Sequence, residues 1–292
     1  MKLDEKHVAA GNLDVAYLTT GPTDGPLALC LHGFPDSPWT WRHLAGPLAE
    51  AGFHVVAPFL RGYAPTAVAA DGCYQTGALV ADAVAVHEAL GGDERAVLIG
   101  HDWGAVAAYP TAAFAPERWC RVVTAAVPPP GALAGGFLSY DQLRRSWYMY
   151  FFQHPLALMA VGMGDLAFID RLWEDWSPGY DATEDLALLK PSLRDPANLA
   201  AAIGYYRATL GGVAPDPSYA AEQAALHTPN PQPTLYLHGD QDGSMGVELA
   251  GTALGFLGEG SRVEIIPEAG HFLHLEKPDV VNHLIVDFLT SS

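Results

Sequence analysis

The first half of the chain alternates between short apolar runs and longer segments in which apolar residues recur at helical spacing. Short apolar runs without polar alternation are typical of strands that are buried on both faces. The predicted strands span residues 13–19, 27–31, 54–58, 96–100 and 121–127, and the predicted helices 39–51, 75–90 and 104–114. Repeated strand–helix–strand units predict an α/β fold with a mostly parallel sheet and helices on both faces.

The pattern changes at the proline-rich stretch 128–131, and from there to about residue 230 only helical segments are predicted. Strands return at 234–237 and 262–266, and the last helix is predicted at 278–289. A second proline-rich stretch, 229–233, closes the helical part. We therefore expect one α/β core, formed by residues 1–130 and 230–292, with an inserted helical cap of residues 131–229.

Composition narrows the classes of partner. The 292 residues are half hydrophobic, which is enough for one large core, and 15 basic against 33 acidic residues give a net charge of −18. Such a surface repels phosphate backbones and anionic lipid heads, so neither nucleic acid nor a membrane is an expected partner. The cysteines Cys30, Cys73 and Cys120 form no metal-ligand spacing and no disulfide framework. Residues 1–8 have no apolar signal-peptide core, and a cytoplasmic location is expected.

The most informative motif is Gly100-His101-Asp102-Trp103-Gly104, which lies between a predicted strand and a helix of small residues. A sharp strand-to-helix turn needs small residues on both sides of its central residue, and it presents that residue above the sheet. Here the central residue is Asp102, at a helix N-terminus that favours negative charge. An ionised carboxylate can attack carbon without a base to activate it. A helix-capping aspartate is the alternative, and the glycines on both sides favour the nucleophile.

A second loop, residues 31–36, follows the buried strand 27–31 at the carboxyl edge of the sheet, where ligands bind in open α/β folds. The backbone N–H groups of Phe34 and Trp103 are predicted to hold a developing oxyanion. A cis bond before Pro35 is compatible with such a tight loop. The alternative is an ordinary turn at the end of a strand, with Asp36 as a turn residue.

Two further loops supply an acid and a base. Asp242 follows strand 234–237 and His271 follows strand 262–266, so both are expected at the same sheet edge as Asp102. The chain order nucleophile, acid, base is that of α/β-hydrolases. One of 12 histidines means little by itself, but three loops in this order carry weight. Asp240 and His274 remain alternatives; spacing favours Asp242, and His274 falls one turn later, inside a helix.

Together these motifs, with Arg61-Gly62-Tyr63, resemble those of the α/β-hydrolase-fold epoxide hydrolases over essentially the whole chain. The resemblance implies an enzyme without cofactor or metal, in which Asp102 attacks an epoxide carbon to form an alkyl-enzyme ester. His271, oriented by Asp242, then activates water to hydrolyse that ester. The loop continues as Ala64-Pro65-Thr66, where the family more often has glycine then serine, which puts the shape of the pocket in question.

The cap offers two candidate acids. Opening an epoxide produces an alkoxide, which needs a proton. Related epoxide hydrolases use two cap tyrosines, and the resemblance points to Tyr148 and Tyr206, with Tyr150 and Tyr205 as alternatives. The residues expected to contact the substrate are Phe34, Pro35, Trp103, Trp147 and Phe272. An aromatic cap favours an apolar or aromatic epoxide, and the sequence leaves open whether the chain forms a homodimer.

The main alternative is a haloalkane or haloacid dehalogenase with the same Asp102 nucleophile. A halide leaving group needs N–H side-chain donors; Trp103 can supply one, but Phe34 stands where haloalkane enzymes often have asparagine, and residues 103–108 contain no arginine. A non-catalytic binding protein is a second alternative, although all triad positions carry competent residues. A serine esterase is disfavoured because Asp102 replaces the serine, and metal catalysis because no ligand spacing is found.

Overall fold

The computed structural model describes residues 2–291, so Met1 and Ser292, the ends of the predicted core, lie outside the described residues. Eight strands form one sheet in the order β1-β2-β4-β3-β5-β6-β7-β8. The pairs β1–β2 and β2–β4 are antiparallel and the others parallel. The strands are β1 Asp4–Ala10, β2 Leu13–Thr20, β3 Leu27–Leu31, β4 His54–Pro58, β5 Ala96–His101, β6 Trp119–Ala125, β7 Thr234–Gly239 and β8 Arg262–Ile266.

Helices cover the sheet, and the predicted α/β fold is confirmed. They are α1 Arg42–Glu50, α2 Thr76–Ala89, α3 Trp103–Phe114, α4 Pro130–Gly136, α5 Tyr140–Arg145, α6 Trp147–Phe151, α7 Ala157–Gly162, α8 Ala167–Trp176, α9 Thr183–Leu189, α10 Pro196–Leu210, α11 Ala220–Ala224, α12 Leu273–Glu276 and α13 Pro278–Thr290. Helix α1 packs against α13, and α2 packs against α3. Every residue of the central strands β3 and β5 is buried, because helices shield both faces of the sheet.

The sequence pattern missed strand β1. Its residues are mostly exposed and it pairs only with β2, so it is an edge strand with little apolar surface to bury. The predicted helix 39–51 also divides into a 3-10 turn at Pro38–Trp41 followed by α1. Strand β6 begins at Trp119, two residues before its predicted start. None of these differences moves a loop at the carboxyl edge.

Helices α4 to α11 lie between β6 and β7, and this part of the described chain contains no strand. The division into core and cap stays a prediction, because the two pack as one continuous hydrophobic cluster. Helix α11 contacts α2 and α3, and the N–H of Gly77 donates to Oε1 of Gln223 at 2.7 Å. The end of the predicted cap therefore lies on the core helices. Over residues 2–291, helix length and apolarity nowhere reach what a bilayer crossing requires.

Candidate active site

The turn between β5 and α3 places Asp102 under backbone strain. Asp102 has φ 52° and ψ −117°, in a region that L-residues rarely adopt and that costs about 1–3 kcal/mol. The glycines on either side are required sterically. A Cβ on Gly104 would lie 2.0 Å from the carbonyl oxygen of Leu31, and one on Gly100 would lie 2.3 Å from that of Gly104. The turn therefore holds the Asp102 carboxylate close against the loop that follows β3.

That loop brings a backbone donor to Asp102. The N–H of Phe34 donates to Oδ1 of Asp102 at 2.7 Å. The peptide bond between Phe34 and Pro35 is cis. Trp103 is the first residue of α3, so its N–H has no acceptor within the helix. His32 fastens the loop: its Nδ1 donates to the carbonyl of Gly33 at 2.9 Å, and its Nε2 accepts from the N–H of Leu60 at 3.1 Å. The Phe34 N–H thus contacts the carboxylate, and the role of the Trp103 N–H stays a prediction.

Gly33 sits where any side chain would meet the nucleophile, because an added Cβ would lie 2.4 Å from Cβ and Oδ1 of Asp102. We expect Gly33→Ala to displace the carboxylate by the order of 1 Å and to lower kcat/KM roughly 100-fold. The matched control is Gly46→Ala in α1, where an added Cβ meets nothing within 4 Å and a modest stabilisation is expected. Steady-state kinetics and thermal melting check both variants; equal activity in the two would contradict the steric argument.

The loops after β7 and β8 complete a triad. Nδ1 of His271 donates to Oδ2 of Asp242 at 2.9 Å, and Nε2 of His271 lies 3.6 Å from Oδ2 of Asp102. Oδ1 of Asp242 accepts from the N–H groups of Ser244 and Met245, each at 2.8 Å. Nε2 of His271 is buried and has no hydrogen-bond partner within residues 2–291. The geometry leaves this nitrogen free to act on a group bound at Asp102.

The two alternatives for acid and base lie elsewhere. Asp240 is exposed, whereas Asp242 is buried against His271. His274 lies in α12, and its Nε2 is hydrogen bonded to Oγ1 of Thr40 at 2.5 Å. The structure therefore brings Asp102, Asp242 and His271 together and leaves Asp240 and His274 out of contact with Asp102.

Charges at the triad favour an imidazolium at rest. Burial would lower the pKa of His271, but the charge of Asp242, the hydrogen bond to Asp242 and the charge of Asp102 raise this pKa to about 10. Burial also opposes ionisation of Asp242, yet the charge and hydrogen bond of His271 hold the pKa of Asp242 below its usual value. The imidazolium of His271 thus lies between the carboxylates of Asp102 and Asp242. A loss of charge on Asp102 would lower the pKa of His271.

The two predicted tyrosines face Asp102 from the cap. Tyr148 is hydrogen bonded to Oγ of Ser244 at 3.2 Å, and its ring lies 5.6 Å from that of Tyr206. The Tyr206 hydroxyl is buried with no hydrogen-bond partner within the described residues. Their alternatives point away, since Tyr150 is 44% exposed and the hydroxyl of Tyr205 donates to the carbonyl of Arg61 at 2.8 Å. Burial raises the pKa of Tyr148 and of Tyr206, so both remain protonated at neutral pH.

A cavity of about 330 Å³ joins these groups, and we call it the inner cavity. Its wall contains Asp102, Tyr148 and Tyr206, and Asp102 is the only charged residue among those that line it. The apolar part of the wall includes Val106, Val127, Leu133, Phe137, Met149 and Leu226. The cavity can therefore hold an uncharged, mainly hydrocarbon ligand against the carboxylate and the two hydroxyls.

Of the five predicted substrate contacts, only Trp103 lines the inner cavity. Trp147 is 46% exposed, because adjacent residues of a helix point about 100° apart and Tyr148 takes the inward position. The ring of Phe272 is buried and stacked on Trp173 at 3.4 Å between centroids, and the substrate contacts predicted for Trp147 and Phe272 stay predictions. Phe34 and Pro35 are not in the wall either, although the Phe34 N–H reaches Asp102.

Three buried polar side chains near the triad, those of Asp36, His101 and His274, form a cluster that the sequence pattern did not predict. One ligand-type atom each from Asp36, His101 and His274 lies within 4.8 Å of the others, an arrangement that could hold a metal ion. Nε2 of His101 donates to the carbonyl of His271 at 2.9 Å, which connects the group to the base. Asp36 also accepts from the N–H of Ser37 at 2.7 Å, as a turn residue does. The three residues of this cluster come from distant segments of the chain, so no short motif with metal-ligand spacing could have predicted the cluster.

Comparison with known proteins gives this geometry its context. Residues 26–278 match the model of the alpha/beta hydrolase fold family, and the chain belongs to that family. It is 32% identical to Epoxide hydrolase 4 of Mus musculus over 94% of this chain and 75% of that protein. The structure of an inhibitor-bound epoxide hydrolase of Bacillus megaterium superposes with a TM-score of 0.82 at 25% identity, covering 98% of this chain and all of that one. A candidate epoxide hydrolase of Klebsiella pneumoniae gives 0.86 at 26% identity, covering 99% and 98%. Within the fold family the chain falls among the epoxide hydrolases, as its motifs predicted.

Proposed function

We propose that the protein hydrolyses an apolar epoxide to a vicinal diol through a covalent ester on Asp102. The observation that carries the proposal is that two buried tyrosine hydroxyls share the inner cavity with the carboxylate. A carboxylate nucleophile alone suits several leaving groups. Protonated hydroxyls opposite it suit a leaving group that becomes an alkoxide and stays bonded to the substrate.

In the first step one carboxylate oxygen of Asp102 forms a bond to an epoxide carbon while the ring C–O bond breaks. The N–H of Phe34 holds Oδ1 in place, which leaves Oδ2 towards His271 as the attacking atom. The alkoxide that leaves the carbon takes a proton from Tyr148 or Tyr206. Both tyrosines lie on the cap side of the cavity, opposite the sheet edge that carries Asp102.

Ester formation prepares the second step. It removes the negative charge of Asp102, which helps to raise the pKa of His271 in the resting protein. The pKa of His271 therefore falls when the ester forms, so the imidazolium passes its proton to the tyrosinate left by ring opening. The neutral imidazole can then accept a proton from water. The resulting hydroxide adds to Cγ of Asp102, and the N–H groups of Phe34 and Trp103 stabilise the oxyanion. Collapse of this intermediate breaks the bond between Cγ and the diol oxygen, which takes the proton from His271. The carboxylic acid left on Asp102 then gives its proton to His271, and the resting carboxylate and imidazolium are restored.

The double variant Tyr148→Phe/Tyr206→Phe is expected to slow ester formation at least about 100-fold and to leave ester hydrolysis much less affected, because the hydroxyls act on the epoxide oxygen. Rapid-mixing kinetics under single-turnover conditions separates the two steps. Tyr150→Phe is the matched control, since this exposed tyrosine of α6 should not affect either step. Equal slowing of both steps would remove the tyrosines from the acid role.

The products discriminate between epoxide hydrolysis and dehalogenation. The inner-cavity wall has no arginine or lysine, and Phe34 brings no side-chain donor for a halide. Diol formation from epoxides, with no chloride from haloalkanes and no fluoride from fluoroacetate, is the expected result. Halide release without diol formation would assign the same Asp102 nucleophile to a dehalogenase, and binding without any turnover would indicate a non-catalytic binding protein.

A further inference from the structure

A second cavity adjoins the inner cavity. This outer cavity, of about 370 Å³, lies between the two proline-rich junctions that lead into and out of the cap segment. Four residues line both cavities and form what we call the portal: Tyr109, Pro130, Ala134 and Leu226. Beyond the portal the wall includes Pro129, Gly131, His227, Thr228, Pro229 and Phe256. The two cavities thus meet at the portal, and the inner one extends from there to Asp102.

We propose that the two cavities open into each other at the portal as one passage, that this passage binds the hydrocarbon substituent of the substrate, and that the portal selects among epoxides by substituent length. The proposal rests on the proposed function, because it places the reacting epoxide at Asp102. Trp103, Val106 and Tyr109 follow each other at three-residue spacing on one face of α3. Six residues of helix rise about 9 Å, so a substituent along this face spans the inner cavity and its far end reaches the portal.

The chemistry of the walls specifies an uncharged chain. The Tyr109 hydroxyl is hydrogen bonded to Oγ1 of Thr124 at 2.8 Å and donates to the carbonyl of Val127 at 3.1 Å, so the ring rather than the hydroxyl is available to a ligand. Asp102 is the only carboxylate or permanent charge among the residues that line the two cavities. A carboxylate on the substituent would find no cation there and would meet a protein of net charge −18.

The outer cavity is bounded by an aromatic ring that packs directly on backbone. A Cβ on Gly131 would lie 2.2 Å from Cδ1 of Phe256, so the ring contacts the main chain just after Pro130. Apart from Tyr109 in the portal, the polar side chains in the wall of the outer cavity are those of His227, Thr228 and Asn230. The inner cavity is mainly apolar apart from the reacting groups and two threonines, and the outer cavity combines apolar with polar side chains. A long alkyl substituent fits these surfaces.

Terminal epoxides of butane, octane and dodecane test the proposal. Each methylene that leaves water is worth up to about 4-fold in kcat/KM, so the value should rise strongly from butane to octane and be retained or rise further for dodecane. Ala134→Trp narrows the portal and should lower the dodecane-to-butane ratio at least 10-fold. Gly135→Trp is the matched control in the same helix, because Gly135 lines neither cavity and an added Cβ meets nothing within 4 Å. Its ratio should equal that of the wild type.

Binding of the corresponding diols, measured by calorimetry, tests the passage without any turnover. Dodecanediol should bind at least 10-fold more tightly than butanediol to the wild type and to Gly135→Trp, and Ala134→Trp should lose this difference. No chain-length preference in the wild type, or one that survives Ala134→Trp, would overturn the proposal. If no epoxide gives a diol or an ester, the proposed function fails, and the diol affinities still decide whether the passage binds alkyl chains.

Discussion

Replacing His271 with glutamine is expected to stop the reaction at the covalent ester. The nucleophile and both tyrosines remain in this variant, so ester formation proceeds, but Nε2 of His271 is the only basic atom placed next to Oδ2 of Asp102 among the described residues, at 3.6 Å. We expect turnover to fall about 1000-fold or more. Intact-protein mass spectrometry should show one added epoxide mass, and peptide mapping should locate it on Asp102.

His283→Gln is the control for this experiment, because His283 is exposed on α13 and is not part of the triad. This variant should show wild-type turnover and no trapped ester. Two results would contradict the assignment of the base. One is a His271→Gln variant that turns over at the wild-type rate. The other is an adduct that maps to a residue other than Asp102.

Asp102→Asn is expected to abolish catalysis, with kcat/KM reduced by about 10⁴-fold or more. The amide is nearly isosteric and its oxygen can still accept from the Phe34 N–H, but it lacks the charge that makes the carboxylate a nucleophile. Asparagine also tolerates a positive φ better than most residues, so the turn should persist. Kinetics with the same epoxides and a circular dichroism spectrum check activity and fold together.

The matched control is Asp240→Asn, on the loop that also carries Asp242 but with an exposed carboxylate. This variant should retain wild-type kinetics. If Asp102→Asn kept full activity and formed diol at the wild-type rate, the nucleophile would have to be another group, and the ester mechanism would be wrong. Loss of activity in both variants would instead indicate a general sensitivity to acidic residues on these loops.

The local sequence was sufficient to predict the structure wherever a residue's conformation depends mainly on its neighbours in the chain. The limits of β3, β4 and β8 agree with the predicted strands, because continuous apolar runs between turn residues permit few other conformations. The glycines on both sides of Asp102 predict a sharp turn, because a side chain at either position would collide with backbone atoms. Asp242 and His271 were predictable because each directly follows a strand, and parallel strands bring their carboxyl ends to one edge.

The surfaces that decide which substrate fits could not be predicted from local pattern. Trp147 and Tyr148 are both aromatic residues of α6, and only the packing of that helix against the rest of the cap decides which one faces Asp102. The portal needs Pro130 and Leu226 side by side, although they stand at opposite ends of the cap segment. Strand β1 shows the same limit, since an exposed edge strand is defined by its partner rather than by its own apolar residues.

The sequence by itself determined the class of protein and predicted which groups would meet at the candidate site, because the turn at Asp102 and the strand-end loops are local features with few alternatives. Only the tertiary structure decided the direction of the cap side chains, the shape of the passage and the convergence of Asp36, His101 and His274. The physical reason is that close packing joins residues far apart in the chain, and such contacts leave no periodic signal in the sequence.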